Sequence, residues 1–171
     1  MKKINITKWK EFKIGDLFSI SKPSQRILTE YETGTVPLVA SGSENNGVKK
    51  YCEPLKDEVL EKGHCITVSP VDGYAFYQAN DFLGRGGAGS SINILRNENL
   101  TSTNALFLCT IIRRVCSKYS YNQMCSASKL STEKILLPVT IDGTPDWKYM
   151  GDFMEYFLKK QGELLADIQK L

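Results

Sequence analysis

This sequence holds a single histidine, His64, and five cysteines, Cys52, Cys65, Cys109, Cys116 and Cys125, with no pair at C-x-x-C spacing. Zinc sites use cysteine and histidine in short, paired spacings, and a disulfide framework needs cysteines in even number. Neither pattern is present, so no metal, disulfide or cofactor is expected. A catalytic cysteine wants a histidine beside it in space. His64 directly precedes Cys65, but neighbours along a strand point to opposite faces. Long apolar runs are lacking too: none approaches the roughly 20 residues of a membrane span. Residues 1–9 carry lysines without the apolar stretch of a signal peptide. No membrane association and a cytoplasmic location are expected. Nor does one sign of charge dominate: 22 Lys+Arg face 19 Asp+Glu, a net charge of +3. Residues 145–171 hold four lysines and five acids, which leaves +4 on residues 1–144. Such a balance permits an anionic partner without demanding one.

What is present fits one domain with a core and an appendage. The chain has 171 residues, 42% of them hydrophobic and 24% charged. Residues 9–14 alternate as a short strand. Val36-Pro37-Leu38-Val39-Ala40 reads as a buried strand that runs into turn-forming residues 41–47. Residues 58–62 suggest a short helical turn. Cys65-Ile66-Thr67-Val68-Ser69 and Tyr74-Ala75-Phe76-Tyr77 flank Asp72-Gly73 as a hairpin. Residues 91–95 and 135–137 read as further strands, with Pro138 closing the second. Between them, Thr101-Ser102-Thr103-Asn104 offers helix N-caps. Leu108, Ile111 or Ile112, Val115 and Tyr119 then recur at helical spacing. The pattern predicts one packed helix ending near Lys118.

Residues 145–171 fall into sevens. Trp147, Met154, Gln161 and Ile168 share one heptad position; Met150, Phe157, Leu164 and Leu171 share the other. Apolar residues spaced by 3 and 4 predict a helix with a narrow sticky stripe, roughly 40 Å long. Pro145 suits its first turn and Asp146 its positive end. Leu158 and Leu165 widen the stripe toward an ordinary core face. The expected architecture is α+β: a domain of small mixed sheets with a packed helix in residues 1–144, and a coiled-coil-type spacer helix in residues 145–171.

Three motifs point to chemistry, and each has a bland counterpart. The glycine-rich residues 84–89 lack the lysine of a P-loop, and a strand rather than a helix follows them. They read as a turn, or as a loop that brings Arg85 against a ligand. Asp146-Trp147-Lys148 matches the D-x-K half of a nuclease site, but no second acid is spaced to complete it; a helix start accounts for it better. The stretch Lys118-Tyr119-Ser120-Tyr121-Asn122-Gln123 mixes residue types that contact phosphates and base edges. The same mixture surrounds Asn45, Asn46, Lys49, Lys50 and Tyr51. Solvated loops share that composition. No helix carries a basic face, so readout would come from loops.

The order of these elements resembles a target-recognition domain of the type I restriction-modification specificity subunit. Trp9-Lys10-Glu11-Phe12-Lys13-Ile14-Gly15-Asp16 is similar to that family's opening W-x-x-x-x-[LI]-G-[DE]. Val36-Pro37 resembles its [IV]-P strand, and Gly63-His64-Cys65-Ile66 its G-D-I-[LI] strand. Residues 128–138, ending in Ile135-Leu136-Leu137-Pro138, resemble its [NSK]-L-x-x-x-x-[IL]-x-[IL]-P. The family's usual P-x-x-x-E-Q-x-x-I continuation is replaced here by residues 140–147.

The resemblance implies a subunit that reads double-stranded DNA and neither cuts nor methylates it. The sequence has no Asn-Pro-Pro-[Tyr/Phe] methylation motif. Methyltransferase (M) subunits and, through them, restriction (R) subunits would be directed to the target. Full specificity subunits carry two recognition domains joined by antiparallel spacer helices, so this chain resembles half of one. Its second half would join through the C-terminal helix, as a homodimer or with another domain. Loop chemistry assigns phosphate contacts to Lys49, Lys50, Lys118 and Lys129. It assigns base contacts to Asn45, Asn46, Tyr77, Arg85, Tyr121, Asn122 and Gln123. The alternatives are the recognition domain of a single-chain type II restriction-modification enzyme, and a protein-interaction module acting through the helix. An enzyme using Cys65 or Asp146 is the third rival.

Overall fold

The structure is a computed structural model that describes residues 5–87 and 91–168. Its elements run β1 (Lys10–Lys13), α1 (Ile14–Leu17), β2 (Ser19–Ser21), β3 (Thr33–Val39), β4 (Val48–Cys52), β5 (Cys65–Val68), β6 (Ala75–Gln78), β7 (Leu83–Gly84), β8 (Asn93–Arg96), α2 (Ser102–Cys116), α3 (Ala127–Thr132), β9 (Lys134–Leu137) and α4 (Trp147–Ile168). The α+β architecture with a long C-terminal helix stands as the sequence predicts.

A four-stranded sheet in the order β2-β8-β5-β6 forms the middle layer. It is antiparallel, with Ile66 opposite both Leu95 and Tyr77. Side chains alternate across a strand, so its two faces bury different sets. Ile66, Val68, Ala75 and Leu95 join the larger core with Leu108 and Ile112 of α2. Cys65 and Ile94 face the other way and pack with Val39, Phe82 and Ile92. Val39 belongs to a three-stranded sheet, β4-β3-β7, in which β7 runs parallel to β3. A ribbon of β1 and β9 pairs Phe12 with Ile135 and closes the larger core from the side.

The packed helix begins as predicted. Thr101 accepts from the Asn104 amide at 3.1 Å, and Asn104 Oδ1 accepts from the Thr101 amide at 2.8 Å. Such reciprocal capping is worth about 1 kcal/mol. Cys109 and Cys116 are both buried on α2, as small core residues.

The start of α4 differs from expectation. Pro145 lies outside the helix in a bridge with Val139. Asp146 caps instead, accepting from the Tyr149 amide at 2.8 Å. Trp147, Met150, Phe153 and Met154 then pack into the larger core. The first two turns of the stripe are thus consumed inside the domain. Phe157, Leu158, Gln161, Leu164, Leu165 and Ile168 continue the same side of the helix and are exposed. Leu171 lies outside the described residues.

Three local expectations are revised. Residues 58–62 form no helical turn. Glu58 and Glu61 point at a buried arginine, and Glu61 bridges Phe82. β2 and α3 were not expected: the first is three residues long, and the second is the capped turn that starts at Ser126.

Candidate nucleic-acid interface

The residues with the chemistry to contact DNA fall into two groups, one around the β3–β4 connection and one around the turn after α2. The first group gathers where β3 ends. The β3–β4 connection carries Asn45 and Asn46 in the left-handed region, at φ 49° and 56°. Asparagine tolerates that conformation better than most residues. Asn46 Nδ2 donates to the Tyr77 carbonyl at 3.0 Å and to Gln78 Oε1 at 3.2 Å. Gln78 returns a bond to the Asn46 carbonyl at 3.0 Å. The connection is therefore clamped onto the edge strand β6, with the Asn45 side chain exposed.

Arg85 reaches the same place from β7. Its amide donates to the Val39 carbonyl at 2.8 Å. The preceding carbonyl, of Gly84, accepts from the buried Arg26 at 2.8 Å. Arg26 also pairs with Glu58 at 2.7 Å and Glu61 at 3.2 Å, so its buried charge is balanced. Tyr31 donates to the same Glu58 oxygen; burial first, then this bond, pushes its hydroxyl up to about 12. The glycines here are spacers. A Cβ on Gly86 would stand 2.2 Å from the Pro23 and Ser24 carbonyl oxygens, and one on Gly84 would stand 2.7 Å from Pro23 Cβ. Close packing against residues 23–25 explains Gly84 and Gly86; residues 88–90 of that glycine-rich stretch lie outside the described residues.

On β4, Lys49 and Lys50 point to opposite sides. Lys49 is exposed, while Lys50 Nζ donates to the Tyr31 carbonyl at 2.8 Å. On β6, the Tyr77 hydroxyl meets His64 Nδ1 at 2.6 Å.

The second group surrounds a tight turn after α2. Ser120 and Gln123 bond to each other's backbone in both directions, at 3.0 and 3.3 Å. Tyr121 and Asn122 stand at the tip, with Tyr121 73% exposed. Lys118 and Lys129 flank Tyr119, whose hydroxyl donates to Glu133. Lys118 binds the other Glu133 oxygen at 2.7 Å. Burial resists the charge on Glu133, but the bonds from Lys118 and Tyr119 outweigh it and lower its pKa. Lys129 Nζ donates to the Met124 carbonyl at 3.1 Å.

Two features escape a reading of the sequence. The His64 ring is exposed and held by Tyr77, which no sequence pattern joins to it. Arg113 of α2 lies 3.8 Å over the Tyr74 ring and donates to the Tyr74 hydroxyl. The only hint of it is the Arg113-Arg114 pair near the end of a helix.

The rival chemistry is poorly served. All five cysteines are buried, and burial pushes Cys65 up to about 11 and Cys109 up to about 12. A nucleophilic thiol needs the opposite shift, which Cys65, the candidate raised by the sequence, does not have. Asp146 is spent on the α4 cap. Among the described residues no cluster of three metal-ligating side chains forms, and no helix is long and apolar enough to cross a membrane.

The family described as "Type I restriction modification DNA specificity domain" matches residues 6–169. The specificity subunit S.BcgI of a type II restriction enzyme from Heyndrickxia coagulans is 24% identical over 152 residues, 85% of this chain and 42% of that protein. The HsdS subunit from Thermoanaerobacter tengcongensis superposes with a TM-score of 0.60 at 14% identity, over 96% of this chain and 40% of its own. A type I restriction-modification S subunit from M. genitalium gives 0.57 at 14% identity, over 95% of this chain and 43% of its own. The chain thus spans about two fifths of the length of these relatives.

Proposed function

The chain belongs to the type I restriction modification DNA specificity domain family, and on that premise we propose that it reads DNA sequence for a restriction-modification complex and leaves the chemistry to other subunits. The family match across residues 6–169 carries this reading. The two loop groups support it, because they present amide, phenol and cationic side chains from one rigid scaffold. Lys49, Lys118 and Lys129 would position the domain on phosphates, whereas Lys50, expected to join them, is turned to the other side of β4 and held by the Tyr31 carbonyl. Asn45, Tyr77, Arg85, Tyr121, Asn122 and Gln123 would meet base edges, while Asn46, whose amide is spent on Tyr77 and Gln78, holds the loop in place. No cofactor enters this role.

The exposed half of α4 serves assembly. The turns of α4 beyond the packed ones, from Phe157 to Ile168, are the spacer appended to a recognition domain. Phe157, Leu158, Leu164, Leu165 and Ile168 pack against the helix of a second recognition half, in a homodimer or with another domain. Methyltransferase subunits dock on that assembly and bring restriction subunits with them. A two-fold pair would read an interrupted palindrome, since protein symmetry is mirrored in the site. The similarity to S.BcgI favours one variation, in which the complex served is of type II.

Selection from a pool of random duplexes tests the reading. The chain, assembled with its methyltransferase, should enrich one bipartite motif. Enrichment of no sequence above the starting pool contradicts it.

A further inference from the structure

The two loop groups are separated by a short stretch of surface on which aromatic rings and one arginine are stacked in series. Starting from the Asn45–Gly47 turn, the Phe76 ring lies 3.6 Å from where a Gly47 Cβ would stand. Phe76 stacks on Tyr74, with centroids 6.1 Å apart and planes 27° apart. Arg113 lies over Tyr74 at 3.8 Å. Beyond Tyr74 comes the β5–β6 turn, where Gly73 sits against the Cys116 carbonyl with no room for a side chain. The Pro70 carbonyl of that turn accepts from the Cys125 amide at 2.8 Å, at the base of the Ser120–Gln123 turn. Arg113 and Tyr74 therefore stand between the two groups, along the edge strand β6.

The arginine is exposed, and among the described residues no carboxylate pairs with it. Lys118, by contrast, is held by Glu133. Packing on the ring and the bond to the Tyr74 hydroxyl fix the guanidinium plane while leaving donors over. A fixed guanidinium loses less freedom on binding than a mobile lysine. Its fork matches paired acceptors in one plane.

We infer that Arg113, seated on Tyr74, contacts DNA at the centre of the interface and takes a paired-acceptor group, either the O6/N7 edge of guanine or a phosphate. This rests on the DNA-reading role proposed above and extends it to residues outside both loops.

The test uses the full chain assembled with its methyltransferase, a duplex bearing the selected motif, and the same duplex scrambled. Affinity is measured across a salt series for Arg113→Gln, Arg113→Lys, Tyr74→Phe and Lys49→Ala. Arg113→Gln should weaken binding to the motif about tenfold or more. If the acceptor is a phosphate, Arg113→Lys recovers much of the affinity, and Arg113→Gln lowers the salt slope by about 1 on both duplexes. If it is guanine, Arg113→Lys recovers little, and discrimination against one substituted base pair falls. Tyr74→Phe, which keeps the ring and loses the hydroxyl, should weaken binding by less than Arg113→Gln. Unchanged affinity, slope and discrimination in Arg113→Gln, while Lys49→Ala weakens binding, overturns the inference and spares the parent reading. Equal binding of motif and scrambled duplex by the unaltered chain overturns both. Urea unfolding of each variant separates loss of contact from loss of fold.

Discussion

Asn46 and Gln78 are bonded to each other in both directions, through Nδ2 to Oε1 at 3.2 Å and through Nε2 to the Asn46 carbonyl at 3.0 Å. One residue sits at the tip of a sheet connection and the other on the edge strand of a different sheet. The bonds lock the loop that carries Asn45 to the surface that carries Tyr77. Asn46 is also left-handed, where a residue with a Cβ is strained. Replacing it by alanine should cost about 2 kcal/mol, from lost bonds plus strain. Asn46→Gly should cost about 1 kcal/mol less than Asn46→Ala, because glycine accepts the backbone. Urea unfolding followed by tryptophan fluorescence measures both. Equal losses would mean that the conformation carries no strain.

Arg26 and Glu58 give a stability that depends on pH. Burial resists the charge on Glu58, but hydrogen bonds from Tyr31, Arg26 and the Leu55 amide prevail and hold its pKa below 4.5. A carboxylate depressed in the folded state contributes stability that is complete above its unfolded pKa, near 4.5, and is lost as pH falls through the folded value. Glu58→Gln should therefore cost about 3 kcal/mol at neutral pH, by leaving Arg26 half-paired in the interior. It should also make stability fall less steeply below pH 4.5. Denaturant midpoints between pH 3 and pH 7 test this, and parallel curves for both proteins would contradict it.

Lys118 and Glu133 form a pair, so their roles on DNA must be separated by a double-mutant cycle. Lys118→Met alone removes a cation and strands a carboxylate that repels phosphates. The double variant Lys118→Met, Glu133→Gln removes both charges. It should bind DNA more tightly than the single variant, by about threefold to tenfold, since each charge acts across a short distance. Equal binding by the two would place Glu133 away from the DNA.

Much of the molecule was legible in the sequence because local signals agreed with tertiary ones. Thr101 and Asn104 announced α2, and the strand-forming runs on either side of Asp72-Gly73 announced the hairpin, though not its register. The heptads located α4. What stayed hidden depends on long-range packing. Glu58 and Glu61 resemble a helical turn until Arg26, more than thirty residues earlier, is brought between them. Gly84 and Gly86 resemble a ligand loop until residues 23–25 press on them. Lys50 resembles a free cation until the Tyr31 carbonyl captures it. Arg113 and Tyr74 are 39 residues apart, and no periodicity joins them. The stripe of α4 looked uniform, yet Met150 is fully buried whereas Leu164 is 56% exposed. Only the fold shows where the domain ends along that helix.

That division of α4 makes a prediction about assembly. Leu164→Glu lies beyond the packed turns, so it should leave the unfolding midpoint of the domain within about 0.5 kcal/mol of the parent. It should abolish self-association or docking through the helix. Gln161→Leu should strengthen association and loosen the choice of partner number, because a polar group at a core position fixes register. Sedimentation velocity distinguishes the outcomes. Unchanged association in Leu164→Glu would remove this half of the helix from any interface.

The central claim is that this chain selects the DNA sequence on which a methyltransferase acts. Methylome sequencing of cells that carry the methyltransferase, with and without this chain, tests it most directly. One new methylated motif should appear with the chain and be lost or relaxed in Arg85→Ala and Gln123→Ala cells. An identical methylome with and without the chain would contradict it.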